Sequence, residues 1–231
     1  LGVLAAAAGG TFWGFSGTCA SYLFHVCHIE TFWLMSVRQV CAGLLFMLVV
    51  LKKDRDRLVK LWTTPADRKQ LILFTIFGLL FNQLCYLSAV RLTNAGTATV
   101  FQCLQLVVVM GYACVTAHRL PRTREALGIL LALGGTFLIA TGGDPSTLSI
   151  SPMGLLAGLL CAVGGACIAI IPAGILNKYG SSVVTGSAML SAGIVLSIFT
   201  QPWAHVPALE PSGVVALAVF IVVGSFFAYM F

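Results

Sequence analysis

Residues 31–51 read TFWLMSVRQVCAGLLFMLVVL, an apolar run that contains a single charged side chain, Arg38. A run of about 20 apolar residues crosses the hydrocarbon core of a bilayer, about 30 Å thick, as one helix. An arginine at the centre of such a helix costs about 2.5–3.5 kcal/mol, so it normally faces a cavity or a partner rather than lipid. The run therefore predicts a transmembrane helix, and Arg38 predicts a functional site inside the membrane.

The composition of the whole chain is that of an integral membrane protein. Hydrophobic residues make up 59% of the 231 residues and charged residues only 9%, whereas a soluble domain carries about 25% charged residues. Apolar segments lie near residues 1–24, 30–51, 70–90, 95–117, 125–142, 152–176, 182–201 and 212–231. Because every backbone polar group in lipid must be bonded internally, these segments predict an all-α integral membrane fold, a polytopic helical bundle with eight spans.

Lysine and arginine concentrate in the loops that follow even-numbered segments. The loop after the second segment holds seven of them, whereas the loops after the first, fifth and seventh segments hold none. Basic loops stay in the cytoplasm, so the N-terminus is predicted to be cytoplasmic. This topology accounts for the net charge of +6 without a nucleic-acid partner. Within the basic loop, Leu58 to Trp62 predicts a short interfacial helix.

The two halves of the chain share several positions. Two pairs of residues match between the third and eighth segments: Asn82 with Ser225, and Tyr86 with Tyr229. Glycine pairs at 9–10 and 164–165 align the first segment with the sixth, which brings Gly17 opposite Pro172 as helix-weakening residues at a similar depth. An odd-numbered unit used twice inserts upside down the second time. The pattern predicts an inverted repeat of five-helix units, a signature of secondary transporters.

Several stretches resemble the drug/metabolite transporter superfamily, specifically its EamA-type ten-helix transporters. The stretches are Thr11-Phe-Trp-Gly14, Val37-Arg38, Leu87-Ser-Ala-Val-Arg-Leu-Thr-Asn-Ala-Gly-Thr-Ala98 and Leu127-Gly-Ile-Leu-Leu-Ala-Leu-Gly-Gly135. Their order and spacing fit the family over essentially the whole chain. The family pattern usually has a glutamate after the fourth span, where this chain has His118.

The resemblance implies a first repeat at residues 1–142 and a second at residues 152–231, truncated after its third helix. On this reading the ninth and tenth spans, about 60 residues, lie beyond Phe231. The resemblance also implies the bacterial inner (plasma) membrane as location. The implied activity is transport, often export, of small metabolites such as amino acids.

Polar residues inside the apolar segments are the candidates for substrate binding. They are Trp13, Arg38, Asn82, Tyr86 and Gln102. Gln102 and Gln105 are expected to share one helix face at i and i+3. No Asp or Glu lies in the interior of a segment, so a cavity containing Arg38 would favour an anionic or zwitterionic solute. Snorkelling of Arg38 to the outer surface, and hydrogen bonding between helices for the amides, are the alternatives.

These features predict a secondary transporter that works by alternating access. Its expected partners are a small-molecule substrate, the lipid bilayer and a coupling ion or proton. The alternative is an integral-membrane enzyme acting on a lipid-linked substrate, which would need a His, Asp and Glu set at one interface. A membrane scaffold would carry fewer buried polar residues. No cofactor, metal site or catalytic residue is predicted.

Overall fold

The computed structural model describes residues 2–141, 150–204, 206–207 and 209–228, with side chains except those of residues 2–10, 13 and 139–141. This part of the chain forms helices and no strands. The helices are α1 (Gly2–His25), α2 (Thr31–Lys53), α3 (Arg55–Thr63), α4 (Pro65–Leu92), α5 (Ala95–Thr116), α6 (Thr123–Thr141), α7 (Pro152–Ile170), α8 (Ala173–Tyr179), α9 (Ser181–Thr200) and α10 (Pro211–Phe227).

In the described residues, each of the eight predicted apolar segments contains a helix, and the sixth segment is divided between α7 and the start of α8. Five of these helices, α2, α4, α5, α7 and α9, are long and apolar enough to cross a membrane, counted over the described residues. The prediction of a helical membrane protein is confirmed. The number of eight spans and the inverted repeat remain predictions.

Local sequence signals explain where the helices begin. Oδ1 of Asn94 accepts a hydrogen bond from the backbone N–H of Thr97 and caps α5, while the hydroxyl of Ser151 caps α7. Proline occupies the first position of α4, α7 and α10, where its missing N–H costs nothing and its fixed φ suits the helix. The short helix predicted at Leu58 to Trp62 is present as the longer helix α3, and its position at the membrane interface remains a prediction.

The two predicted helix-weakening residues behave differently. The helix that contains the sixth segment breaks after Ile170, and α8 starts at Ala173, directly after Pro172. In contrast, α1 is continuous through Gly17. Proline removes a backbone donor and clashes with the preceding turn, whereas glycine keeps its N–H and only lowers helix propensity.

Helices α2 and α9 pack closely against each other as an antiparallel pair. A Cβ added to Gly43 of α2 would lie 2.6 Å from the backbone nitrogen of Leu190, and one added to Gly193 would lie 2.6 Å from that of Val40. Small residues at the contact between two transmembrane helices let their backbones approach closely. The resulting van der Waals packing replaces the hydrophobic driving force that is missing in lipid. This pair therefore rests on glycine at both positions.

Gly43→Ala is expected to lower the stability of the folded protein by about 1–3 kcal/mol, because the added methyl group meets backbone that must move. The matched control is Gly111→Ala in α5, where an added Cβ meets nothing within 4 Å. Thermal unfolding of the purified protein in detergent measures both. Equal unfolding temperatures for the two variants would contradict the close α2–α9 contact.

Candidate functional site

The guanidinium of Arg38 joins α2 to α4 and α10. Nε donates a hydrogen bond to Oγ of Ser225 at 2.7 Å, and Nη1 donates to Oε1 of Gln83 at 2.8 Å. Nη2 donates to the carbonyl oxygen of Gly224 at 3.1 Å, and the Phe220 ring centroid lies 4.4 Å from Cζ. Arg38 is 3% exposed. The side chain therefore points into the bundle, and the snorkelling alternative does not describe this structure.

A small polar cavity lies beside Arg38, with a volume of about 20 Å³. Such a volume holds about one water molecule. Each residue that lines it is at most 9% exposed. The lining residues are Ser16, Arg38, Asn82, Gln83, Tyr86 and Gln102. The cavity therefore brings together side chains from α1, α2, α4 and α5 in a closed, polar centre of the bundle.

Four of the five residues predicted from the sequence line this cavity, namely Arg38, Asn82, Tyr86 and Gln102. The side chain of the fifth, Trp13, lies outside the described residues. The structure adds Ser16 and Gln83. Gln83 neighbours Asn82 in the sequence, and its hydrogen bond with Arg38 joins α4 to α2.

Gln105, predicted to share a helix face with Gln102, is not among the residues that line the cavity. Helix α5 is irregular at Leu104, where ψ is −15°. A ψ near this value departs from the regular α-helix. Gln105 instead packs against the backbone of α7 at Gly165.

Two helices that contribute to the site contain π-helical segments. Residues Phe74–Leu80 of α4 adopt this conformation shortly before Asn82 and Gln83. Residues Val222–Phe227 of α10 adopt it around Gly224 and Ser225, the two partners of Arg38. π-Helical turns are rare and occur frequently at functional sites, so their position supports this cavity as the candidate site.

Glycines allow the helices to close around the cavity. A Cβ added to Gly17 of α1 would lie 2.5 Å from the hydroxyl oxygen of Tyr86, and one added to Gly164 of α7 would lie 2.8 Å from Cα of Asn82. The thiol of Cys161, also in α7, donates to Oδ1 of Asn82 at 3.6 Å. The positions of Asn82 and Tyr86 therefore depend on two neighbouring helices.

Residues 1–141 match the EamA-like transporter family. The chain belongs to the EamA-like transporter family. It is also 29% identical over 213 residues to a protein of Salmonella typhimurium (strain LT2) named uncharacterized inner membrane transporter YicL, a match that covers 92% of this chain and 71% of that relative. No solved structure matches the chain. The family resemblance expected from the sequence is confirmed, and it indicates a membrane transporter rather than an enzyme.

At the predicted outer side of this EamA-like transporter, α2 contacts the end of α9 and the residues that follow it. Nε1 of Trp33 donates to the carbonyl oxygen of Pro202 at 2.9 Å, and the hydroxyls of Ser36 and Thr200 are 2.7 Å apart. A second cavity of about 370 Å³ lies at these helix ends, lined in part by Trp33 and Thr200. It is an outer pocket close to the contacts that close α2 against α9.

At the predicted inner side of the transporter, the start of α4 contacts the residues that follow α7. Asp67 accepts hydrogen bonds from Nζ of Lys178 and from the hydroxyl of Tyr179 at 2.6 Å. Nε2 of Gln70 donates to the carbonyl oxygen of Ile171 at 2.6 Å. The hydrogen bond to Asp67 raises the pKa of Lys178, so this ion pair persists at neutral pH.

Proposed function

We propose that this transporter moves small solutes that carry a carboxylate group across the membrane by alternating access. The amino-acid-like and other anionic or zwitterionic metabolites are the substrate class. The observation that carries the proposal is the charge of the cavity. Its six described lining residues include the guanidinium of Arg38 and no Asp or Glu. A planar, positively charged guanidinium binds a carboxylate through two parallel hydrogen bonds and repels a cation.

Arg38 would be the main contact for the substrate carboxylate, and Asn82, Tyr86, Gln102 and Trp13 would bind the rest of the solute. In the closed structure, oxygens of Ser225, Gln83 and Gly224 accept the hydrogen bonds of Arg38. A carboxylate entering an open form would replace some of these acceptors. The difference in these contacts between the two forms is what couples binding to the conformational change.

The packing of the helices supports two inverted repeats, residues 1–142 and 152–231. Helix α1 packs on α10, and α4 packs on α7. If spans one, two and three correspond to spans six, seven and eight, these two contacts exchange with each other. The α2–α9 pair then joins corresponding spans and maps onto itself. Such symmetric halves can rock around a central site, while the contacts at Trp33 and at Asp67 close the two sides.

The location proposed for the protein is the bacterial inner membrane, as for the Salmonella relative, with a cytoplasmic N-terminus. The distribution of lysine and arginine supports this orientation. Export is the proposed direction. A coupling ion or proton is part of the proposal, but no residue is assigned to it. In this proposal, the form with a cavity of about 20 Å³ is the closed form, which lies between the inward-open and outward-open forms.

The test is solute counterflow in proteoliposomes that contain the full-length protein. The panel comprises neutral amino acids, carboxylic acids, dicarboxylates and organic amines. We expect saturable counterflow for at least one carboxylate-bearing solute and none in liposomes without protein. Counterflow restricted to cationic amines would contradict the proposed substrate class, and no counterflow for any solute would contradict the proposed transport of this class.

A further inference from the structure

We propose that an anionic phospholipid binds in a groove between α5 and α6, with an acyl chain in the groove and its phosphate on Arg124. The groove has a volume of about 520 Å³, within the range of sites that hold small ligands. Its walls are apolar and include Met110 and Ala113 of α5 and Gly128 and Ile129 of α6. This site is separate from the polar cavity and does not depend on which solute is transported.

Among the described residues, no other helix covers the groove between α5 and α6. A Cβ added to Gly128, which lines the groove, would meet nothing within 4 Å. Leu106 lines the groove and is 66% exposed. Water has no polar partners along such walls. In a bilayer, a hydrocarbon chain is therefore the occupant that fits the apolar part of the groove.

Charged side chains mark one end of the groove. Arg124 lines it, is exposed, and has no hydrogen-bond or ion-pair partner among the described residues. Glu125 also lines it, but its carboxylate accepts two hydrogen bonds from Arg119 and one from the backbone N–H of Arg122. Three arginines against one glutamate leave this end with a net charge of +2. The guanidinium of Arg124 is thus available for a phosphate.

The predicted topology places this charged end at the cytoplasmic leaflet. Anionic lipids give that leaflet a negative surface potential, and basic pockets between transmembrane helices on this side bind their headgroups. Guanidinium groups bind phosphate through two parallel hydrogen bonds. Apolar walls that lead away from a basic end thus fit a phospholipid. A second copy of the chain packed on the same end would bring its own charge of +2 there and would be repelled.

The experiment is native mass spectrometry of the full-length transporter with added phosphatidylglycerol or phosphatidylethanolamine. We expect the protein to retain phosphatidylglycerol several-fold more than phosphatidylethanolamine. Arg124→Gln should weaken phosphatidylglycerol binding about tenfold, the effect of losing one charge-assisted contact. The matched control, Arg55→Gln, changes an exposed arginine of another predicted cytoplasmic loop and should leave binding unchanged.

A second variant tests the apolar part of the site. Gly128→Phe fills the groove without a clash, because an added Cβ there meets nothing, and it should abolish retention of phosphatidylglycerol. Soluble glycerol phosphate should not compete, because it lacks the acyl chain. Equal lipid binding by wild type, Arg124→Gln and Gly128→Phe would overturn the proposal. Displacement of phosphatidylglycerol by soluble glycerol phosphate would overturn it too. A dimer that dissociates in the Gly128→Phe variant while lipid binding stays unchanged would also overturn it, because the groove would then bind a second copy of the chain.

Discussion

Arg38→Ala is expected to lower counterflow of a carboxylate-bearing solute at least about tenfold, because hydrogen bonds to a charged group are worth about 1.5–3 kcal/mol each. The variant also removes the donor for Gln83, Ser225 and the Gly224 carbonyl, so some loss of stability accompanies it. Arg38→Lys should give an intermediate flux, because a lysine keeps the charge but cannot form the same planar set of hydrogen bonds.

Arg91→Ala is the control for Arg38→Ala, because Arg91 is exposed at the end of α4. Its flux and thermal stability should equal those of the wild type. Flux is normalised to the folded protein recovered in the liposomes, which separates a binding defect from a folding defect. If Arg38→Ala protein is less stable but transports with an unchanged KM and rate, then Arg38 is structural and does not bind substrate.

Gln83→Glu is expected to keep the fold and abolish transport of carboxylate-bearing solutes. Oε1 of Gln83 already accepts a hydrogen bond from Arg38 at 2.8 Å, and glutamate places a carboxylate at the same position with nearly the same shape. The buried guanidinium then has a fixed counter-ion, so the cavity loses its net positive charge. An anionic solute entering the variant cavity would meet a like charge, which costs several kcal/mol at a closed interface.

Gln83→Met is the neutral comparison for Gln83→Glu. It removes the acceptor from Arg38 without adding charge, so it should lower the unfolding temperature while leaving part of the flux. We expect the unfolding temperature of Gln83→Glu to equal or exceed that of the wild type, and that of Gln83→Met to be lower than that of the wild type. Wild-type counterflow by the Gln83→Glu variant would show that the charge of this cavity does not select the solute.

The sequence predicted the helices well because their signal is compositional. About 20 apolar residues bounded by proline, glycine and charge specify a helix in lipid almost independently of neighbours. The helix α3 also followed from its local pattern of basic and apolar residues. The break after Ile170 followed from Pro172, whereas α1 continues through Gly17, where the absence of a Cβ allows close packing against Tyr86.

The polar site was partly predictable because buried amides and charges are expensive in lipid and must face one another or water. Asn82, Tyr86, Gln102 and Arg38 met this criterion and line one cavity. Their use by a substrate stays a proposal. The partners of Arg38 at Ser225 and Gly224 lie 187 and 186 residues away, and such contacts are set by tertiary packing that a single sequence does not encode locally.

Backbone irregularities were the main features that the sequence did not predict. The π-helical turns at Phe74–Leu80 and Val222–Phe227 are made of ordinary apolar residues and small residues, with no residue type that marks a π-helix. The irregular turn at Leu104 likewise has no residue type that marks it in the sequence. A periodicity argument assumes a regular helix, so it fails wherever the helix changes its own repeat.

Recognition of a carboxylate group by the cavity is tested by comparing two solutes in the same wild-type proteoliposomes. One is the amino acid that the panel identifies, and the other is the amine that lacks only its carboxylate. We predict saturable flux for the amino acid and at least about tenfold less for the amine, the effect of losing a charge-assisted contact with Arg38. Equal flux for the two solutes would show that the cavity does not recognise the carboxylate.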